Sequence, residues 1–279
     1  MIYLKDRVAV VTGGAKGMGA SISRKFAEEG CTVIVNDLDF EGAVAVAEGI
    51  NESEAVREVG GSAVAGKVDQ TRKGEVDASI ADTVRRFGKI DILINNAGGV
   101  PGMDGRGPIE TVEMEEFDRI TSINMKGPLY YLMAVVPHMK KARYGKIVNF
   151  SSIGAMNPVV SVIPYHASKG AVESMTRNLA FELSTFGINV NVIIPGNIQT
   201  PFWENVIFPE GMTEEDFFEE TVRRQVPLQR MGTSQDVAGV ALFLSSEMSD
   251  FVTGQKIWVA GGSPDVNPVT VLYEEGRYA

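Results

Sequence analysis

Seven short apolar runs punctuate the chain, with longer stretches of helical periodicity between them. They are RVAVVTG (Arg7 to Gly13), CTVIVND (Cys31 to Asp37), GSAVAGKVD (Gly61 to Asp69), IDILINNAG (Ile90 to Gly98), GKIVNFSS (Gly145 to Ser152), INVNVIIPG (Ile188 to Gly196) and GQKIWVAGG (Gly254 to Gly262). Apolar residues stand side by side in these runs rather than alternating with polar ones, which marks strands covered on both faces. Long helical connections allow such strands to lie parallel. The pattern predicts an α/β fold: one doubly wound sheet of seven parallel strands with helices on both faces, in a single domain spanning 1–263.

The helical stretches carry their own punctuation. GMGASISRKFAEEG puts Ile22 and Phe26 on one face and stops at Gly30, a residue suited to the left-handed turn after a helix. Two long segments break the alternation. Gly98 to Glu113 is rich in glycine, and Asn197 to Thr233 reads as irregular and contains aromatics. Both follow strand C-termini, where a doubly wound sheet binds its ligands. Residues 197–233 are therefore expected to form a substrate-binding insert or lid. The tail, 264–279, is expected to cover the site or pack on a neighbouring subunit.

Charge narrows the partners. The formal net charge is −10, the wrong sign for tracking a phosphate backbone, so nucleic acid is not expected. A single cysteine, Cys31, excludes an internal disulfide and fits a reducing compartment. Only two histidines occur, and no Cys/His cluster has metal-ligand spacing, so metal-dependent alcohol chemistry is disfavoured. The N-terminal apolar run, Val8 to Val11, is too short for a leader or a membrane span, and a cytoplasmic location is expected.

VTGGAKGMGA follows the first strand and opens the first helix, with Gly13, Gly17 and Gly19 spaced GxxxGxG. Glycines there permit a tight turn and close backbone approach, and the helix N-terminus offers free N–H groups to a pyrophosphate. Asp37 ends the second strand, 24 residues past Gly13, where a carboxylate accepts hydrogen bonds from adenosine ribose hydroxyls. A 2′-phosphate facing that carboxylate would cost roughly 4 kcal/mol at about 4 Å and an effective dielectric near 20. Lys16 in the glycine loop opposes this, yet an exposed ion pair contributes only about 0–1 kcal/mol. NAD is therefore expected over NADP.

Tyr165 and Lys169 stand four residues apart in PYHASKGAVESM, which places them on one face if a helix begins nearby. A phenol of pKa about 10 is roughly one part in a thousand ionised at pH 7. A neighbouring positive charge lowers such a value by about 1 to 3 units. The pair is thus expected to make Tyr165 a usable base.

The ordered set TGGAKGMG (Thr12 to Gly19), NNAG (Asn95 to Gly98), Asn124 in SINMKG, SSIG (Ser151 to Gly154), YHASK (Tyr165 to Lys169) and PGNIQT (Pro195 to Thr200) resembles the short-chain dehydrogenase/reductase family across Val8 to Gly262. The resemblance implies a Rossmann-type domain and a tetrad. Tyr165 would be the general acid/base, Lys169 would hold the nicotinamide ribose and tune Tyr165, Ser152 would bind the substrate oxygen, and Asn124 would anchor a water-linked proton path. It further implies a cofactor lining of Gly13, Lys16, Gly17, Met18, Gly19, Asp37, Asp69 at the adenine, Asn95, Ala97 and Gly98 in the wall, Pro195, Gly196, and Ile198 with Thr200 at the carboxamide. The chain departs from the family pattern at Ala260, where an aspartate is common.

Phe202, Trp203, Val206, Ile207, Phe208, Met212, Phe217 and Phe218 form either an ordinary helix pair packing on the sheet or, for substrate, an apolar lid with Met156 and Val159 to Val162 on the opposite wall. This suits a bulky hydrophobic alcohol or ketone such as a hydroxysteroid, bile acid or alicyclic alcohol, because no arginine cluster appears there. The alternatives are a 3-oxoacyl-thioester reductase and a non-catalytic nucleotide-binding regulator. The family likeness also implies a homotetramer or homodimer, with Leu129, Leu132, Met133 and Val136 as an apolar face on the helix after Asn124.

Overall fold

The computed structural model describes residues 2–100, 109–156, 163–201 and 213–263. Strands β1 (Val8–Thr12), β2 (Thr32–Asp37), β3 (Ser62–Lys67), β4 (Ile92–Asn95), β5 (Gly145–Phe150), β6 (Ile188–Pro195) and β7 (Lys256–Val259) form one sheet in which every neighbouring pair is parallel. Their spatial order is β3-β2-β1-β4-β5-β6-β7. The order reverses between β1 and β4, which opens a crevice at the strand C-termini. The seven apolar runs are thus the seven strands.

The helices among the described residues are α1 (Gly17–Glu28), α2 (Phe40–Glu52), α3 (Glu54–Glu58), α4 (Lys73–Phe87), α5 (Met114–Thr121), α6 (Gly127–Ala142), α7 (Ile163–Leu183), α8 (Glu214–Gln225) and α9 (Ser234–Ser245). Two cores explain the continuous apolar runs. Ala9 and Val11 of β1 join Ile22, Phe26, Val33, Val35, Val237 and Ala241 on one face. Val8 and Val10 join Ile34, Ile80, Tyr131, Val135 and Leu183 on the other. The central strands therefore carry apolar side chains on both faces. Cys31 is fully buried in the first core, and burial pushes its thiol well above the ordinary range.

Gly30 follows α1 at φ +80°, the left-handed stop expected from the sequence. The segment expected to be irregular, 197–233, instead contains α8. Thr213 caps it: its hydroxyl accepts from the Asp216 N–H at 3.1 Å, while Asp216 accepts from the Thr213 N–H at 3.1 Å. The sequence signal was this T-x-x-D box. It was masked by a charge-rich helix whose only aromatics, Phe217 and Phe218, contact each other edge to face. Phe202, Trp203, Val206, Ile207, Phe208, Met212, Val159 to Val162 and the tail 264–279 lie outside the described residues. Among the described residues no helix is long and apolar enough to cross a membrane.

On α6, Leu129 and Met133 are exposed, but Leu132 is 2% exposed and belongs to the core. Val136 also packs against that core. The expected apolar face is therefore narrower than the sequence suggests, because a helix lying on a sheet must turn part of its apolar surface inward.

Candidate active site

The crevice is built first from glycines. Gly13 and Gly17 adopt φ of +64° and +56°, and a Cβ at Gly19 would lie 2.0 Å from the Gly13 carbonyl oxygen. Only glycine allows this turn to close so tightly onto the start of α1. Lys16 is exposed at the helix N-cap, and Met18 in the first turn of α1 packs, partly buried, against the core. Across the crevice from Gly17 stand Thr200 and Pro201, which a Cβ on the glycine would meet at 3.6 Å. The loop is anchored by a residue the sequence reading passed over. Asn96 donates from Nδ2 to the carbonyls of Thr12 (3.0 Å) and Gly13 (3.1 Å), and the Ala97 N–H donates to Thr12 Oγ1 at 2.9 Å.

Asp37 sits half-buried beside this loop. Its Oδ2 accepts from the Ala15 N–H and its Oδ1 from the Asp39 N–H, both at 2.9 Å. The carboxylate therefore shapes the glycine loop as well as ending β2. Asp69 accepts from the Thr71 hydroxyl at 2.6 Å and the Thr71 N–H at 2.9 Å, and Arg72 lies beside it. These bonds hold its carboxyl below the ordinary value. Asp69 is thus observed as a loop cap.

Asn95 does not line the crevice. It is 2% exposed, and its Nδ2 donates to Asn149 Oδ1 at 2.9 Å. Side chains alternate along a strand, so the second asparagine of NNAG supports the loop while the first is buried behind it. Gly98 does reach the centre: a Cβ there would meet Asn124 Oδ1 at 2.6 Å and Lys169 Nζ at 3.0 Å.

Asn124 occupies a single π-turn, Ser122–Lys126, between α5 and α6. It is fully buried and its amide is committed. Nδ2 donates to the Gly99 carbonyl (2.7 Å) and the Ile120 carbonyl (3.1 Å), while Oδ1 accepts from the Gly99 N–H (2.9 Å). Gln70, also unflagged by the sequence reading, donates to the Ala97 and Ile123 carbonyls at 3.2 and 3.0 Å. It ties the β4 end to the π-turn.

Tyr165 and Lys169 share a face of α7, as their spacing predicts, with Lys169 Nζ 5.7 Å from the Tyr165 ring centre. Tyr165 is hydrogen bonded to the Ser152 hydroxyl. Ser152 also accepts from the Gly154 N–H at 3.1 Å. Lys169 Nζ donates to the Phe150 carbonyl at 3.0 Å. Asn124, Ser152, Tyr165 and Lys169 are thereby brought together beside Gly98. His166 packs on Tyr165 at 5.9 Å between ring centres, and burial lowers its pKa.

The electrostatics differ from the sequence expectation. Burial raises the Tyr165 pKa above 10.0, with the Ser152 hydrogen bond pulling the other way. Burial lowers Lys169 from 10.5 to about 8. With protein groups alone, desolvation of the phenol outweighs the opposing Ser152 hydrogen bond. Spacing alone conveys proximity and not this balance.

On the far wall, Gly196 abuts Ala260, where a Cβ on the glycine would sit 2.8 Å from the alanine Cα. Pro195 closes β6 on β7, Ile198 is buried and bridges to Gly232, and Thr200 is half-buried facing Gly17. Met156, 57% exposed, follows the short 3-10 turn after Ser152.

The model of the enoyl-(acyl carrier protein) reductase family matches residues 13–263. The chain belongs to the short-chain dehydrogenase/reductase family. Among its curated relatives is the (2S)-[(R)-hydroxy(phenyl)methyl]succinyl-CoA dehydrogenase subunit BbsD of Thauera aromatica. It is 36% identical over 93% of this chain and 97% of that protein. L-Fucose dehydrogenase of Oryctolagus cuniculus is 36% identical over 92% and 84%. Among solved structures, 7α-hydroxysteroid dehydrogenase complexed with NADH and 7-oxo-glycochenodeoxycholic acid superposes with a TM-score of 0.83. It is 34% identical and covers 94% of this chain and 95% of its own. Membership of this short-chain dehydrogenase/reductase family makes the protein an oxidoreductase.

Proposed function

We propose that this oxidoreductase uses NAD(H) to interconvert a secondary alcohol and its ketone, the substrate being bulky and hydrophobic. The observation that carries this is the meeting of Tyr165, Ser152, Lys169 and Asn124 at the strand C-termini beside the glycine loop. The cofactor fits the residues present. Gly13, Gly17 and Gly19 leave a cradle that side chains would fill, and Asp37 ends β2 beside it, partly exposed. The pyrophosphate would lie on the α1 N-terminus and the adenosine ribose on Asp37. When bound, the nicotinamide supplies the hydride acceptor or donor.

The protein's own groups handle the proton. Ser152 Oγ, bonded to the phenol, would hold the substrate oxygen within reach of Tyr165 Oη. In oxidation Tyr165 takes the hydroxyl proton; in reduction it gives one to the carbonyl oxygen. Lys169, mostly ammonium at pH 7 with a pKa of about 8, favours the phenolate against the cost of burial. Because the Asn124 amide is fully used, a proton relay through this residue would use its main-chain carbonyl.

Names of relatives do not choose the substrate, since a bile-acid, a sugar and a CoA-linked enzyme stand at 34–36% identity. The CoA ester in one name and the acyl carrier protein in the family description favour a second reading, a 3-oxoacyl-thioester reductase. A net charge of −10 argues against anionic carriers. The test is nicotinamide reduction with NAD and NADP in parallel, against bile acids, steroids, alicyclic alcohols, sugars and short hydroxyacyl thioesters. Turnover of hydrophobic cyclic alcohols with NAD is expected. Activity only on thioesters would overturn the substrate reading in favour of the second.

Cofactor choice has a separate test. Asp37→Ala is expected to narrow the kcat/KM preference for NAD over NADP by at least about tenfold, because the carboxylate no longer repels a 2′-phosphate. Affinity for NAD should fall as well, since Ala15 loses its acceptor. An unchanged ratio would show that the ribose is read elsewhere.

A further inference from the structure

Tyr165, Lys169 and Glu173 follow one another at four-residue intervals and form a stripe along α7. Each meets one of three consecutive residues at the end of β5. Tyr165 bonds Ser152, Lys169 Nζ donates to the Phe150 carbonyl at 3.0 Å, and Glu173 takes the residue between them. Ser151 Oγ donates to Glu173 Oε1 at 2.7 Å, with the Lys169 carbonyl 3.2 Å away as a weaker acceptor. The other Glu173 oxygen pairs with Lys256 of β7.

Glu173 is 5% exposed and Ser151 4% exposed, whereas Lys256 is partly exposed. A buried carboxylate is costly unless it is paired and hydrogen bonded, and an apolar side chain would fill the same space more cheaply. The main chain of Ser151 is already tied to β6, its N–H donating to the Ile193 carbonyl at 2.9 Å. On the α7 side, the short contact of its side chain is with Glu173.

We infer that Glu173 is a positioning residue for the reaction, holding through Ser151 the strand end that presents both the Phe150 carbonyl and the Ser152 hydroxyl to Lys169 and Tyr165. This rests on the reading of Tyr165 as acid/base. Without Glu173, the Ser151 hydroxyl turns to the Lys169 carbonyl, and the Ser152–Tyr165 register loosens. A displacement of about 1 Å in such a site costs up to about 100-fold in rate.

The test compares Glu173→Leu, Glu173→Gln, Ser151→Ala and the double variant Ser151→Ala with Glu173→Leu, on the alcohol found by the substrate panel. Glu173→Leu is expected to lower kcat by about 10- to 100-fold with KM for NAD within about twofold. Glu173→Gln keeps an acceptor for Ser151 and should stay within about threefold of the parent. Ser151→Ala should fall as Glu173→Leu does, and the double variant no further than either. A Glu173→Leu protein with a lower unfolding midpoint but parental kcat would overturn the inference, as would losses that multiply. Should Glu173→Leu fail to fold, parental kcat in Ser151→Ala would overturn it. Tyr165→Phe is run in parallel. Turnover that survives there overturns the acid/base reading and this inference with it, while loss there beside an active Glu173→Leu overturns this inference alone.

Discussion

Tyr165→Phe is expected to lower turnover by about 10²- to 10⁴-fold, the range contributed by a positioned general acid/base, while leaving NADH affinity nearly unchanged. The phenol oxygen is the group bonded to Ser152, and phenylalanine removes it without changing the packing of the ring on His166. Steady-state rates and a fluorescence titration with NADH measure the two quantities separately. The pH dependence carries a sign. Burial holds the phenol above 10.0, so alcohol oxidation, which needs the phenolate, should accelerate as pH rises. Ketone reduction, which needs the phenol, should hold at neutral pH and fall on the alkaline side. If the variant keeps turnover, another group moves the proton; if it loses NADH binding as well, the side chain is structural.

The strands were legible because burial on both faces leaves an uninterrupted apolar run, and Val8 to Val11 divides between two cores residue by residue. Tyr165 and Lys169 were legible because helical spacing needs only a count. The same count predicts a phenol made a usable base by the lysine, but it does not show the burial that holds the phenol's pKa above its ordinary value. Both groups are taken out of water, and the cost of that depends on neighbours distant in sequence. Asn96 and Gln70 escaped notice for a related reason. Their work is to bond carbonyls 83 and 27 residues away, a pairing with no local pattern. The burial of the Asn95 side chain is not legible in NNAG, because adjacent residues at a strand end point to opposite sides.

Lys169→Met is expected to reduce turnover by about 10²-fold or more and, at pH 7, to raise the unfolding midpoint. In the unfolded chain the amine keeps its proton up to its ordinary 10.5; in the folded protein it gives it up near 8. Between these values the unfolded state binds more protons, so stability rises with pH across that window. Below about pH 8 the folded protein carries the full cost of a buried ammonium, roughly 3 kcal/mol at about 1.4 kcal/mol per pH unit. Methionine fills the same space uncharged but leaves the Phe150 carbonyl without its donor, which costs about 1–3 kcal/mol. A net gain of about 1 kcal/mol at pH 7 remains; it shrinks above pH 8 and turns into a loss as pH approaches 10.5, because the neutral amine still donates to Phe150 and methionine does not. Thermal unfolding at pH 7 and pH 10 measures it, alongside the pH–rate profile. In that profile the rising limb for oxidation should move to higher pH, because the phenolate has lost its only neighbouring cation on α7. A variant less stable at both pH values would show that the lysine's contacts outweigh its burial. An unmoved limb would show that Tyr165 is tuned by something other than Lys169. Gain in stability with loss of rate is the mark of a charge held in the site for chemistry rather than for folding.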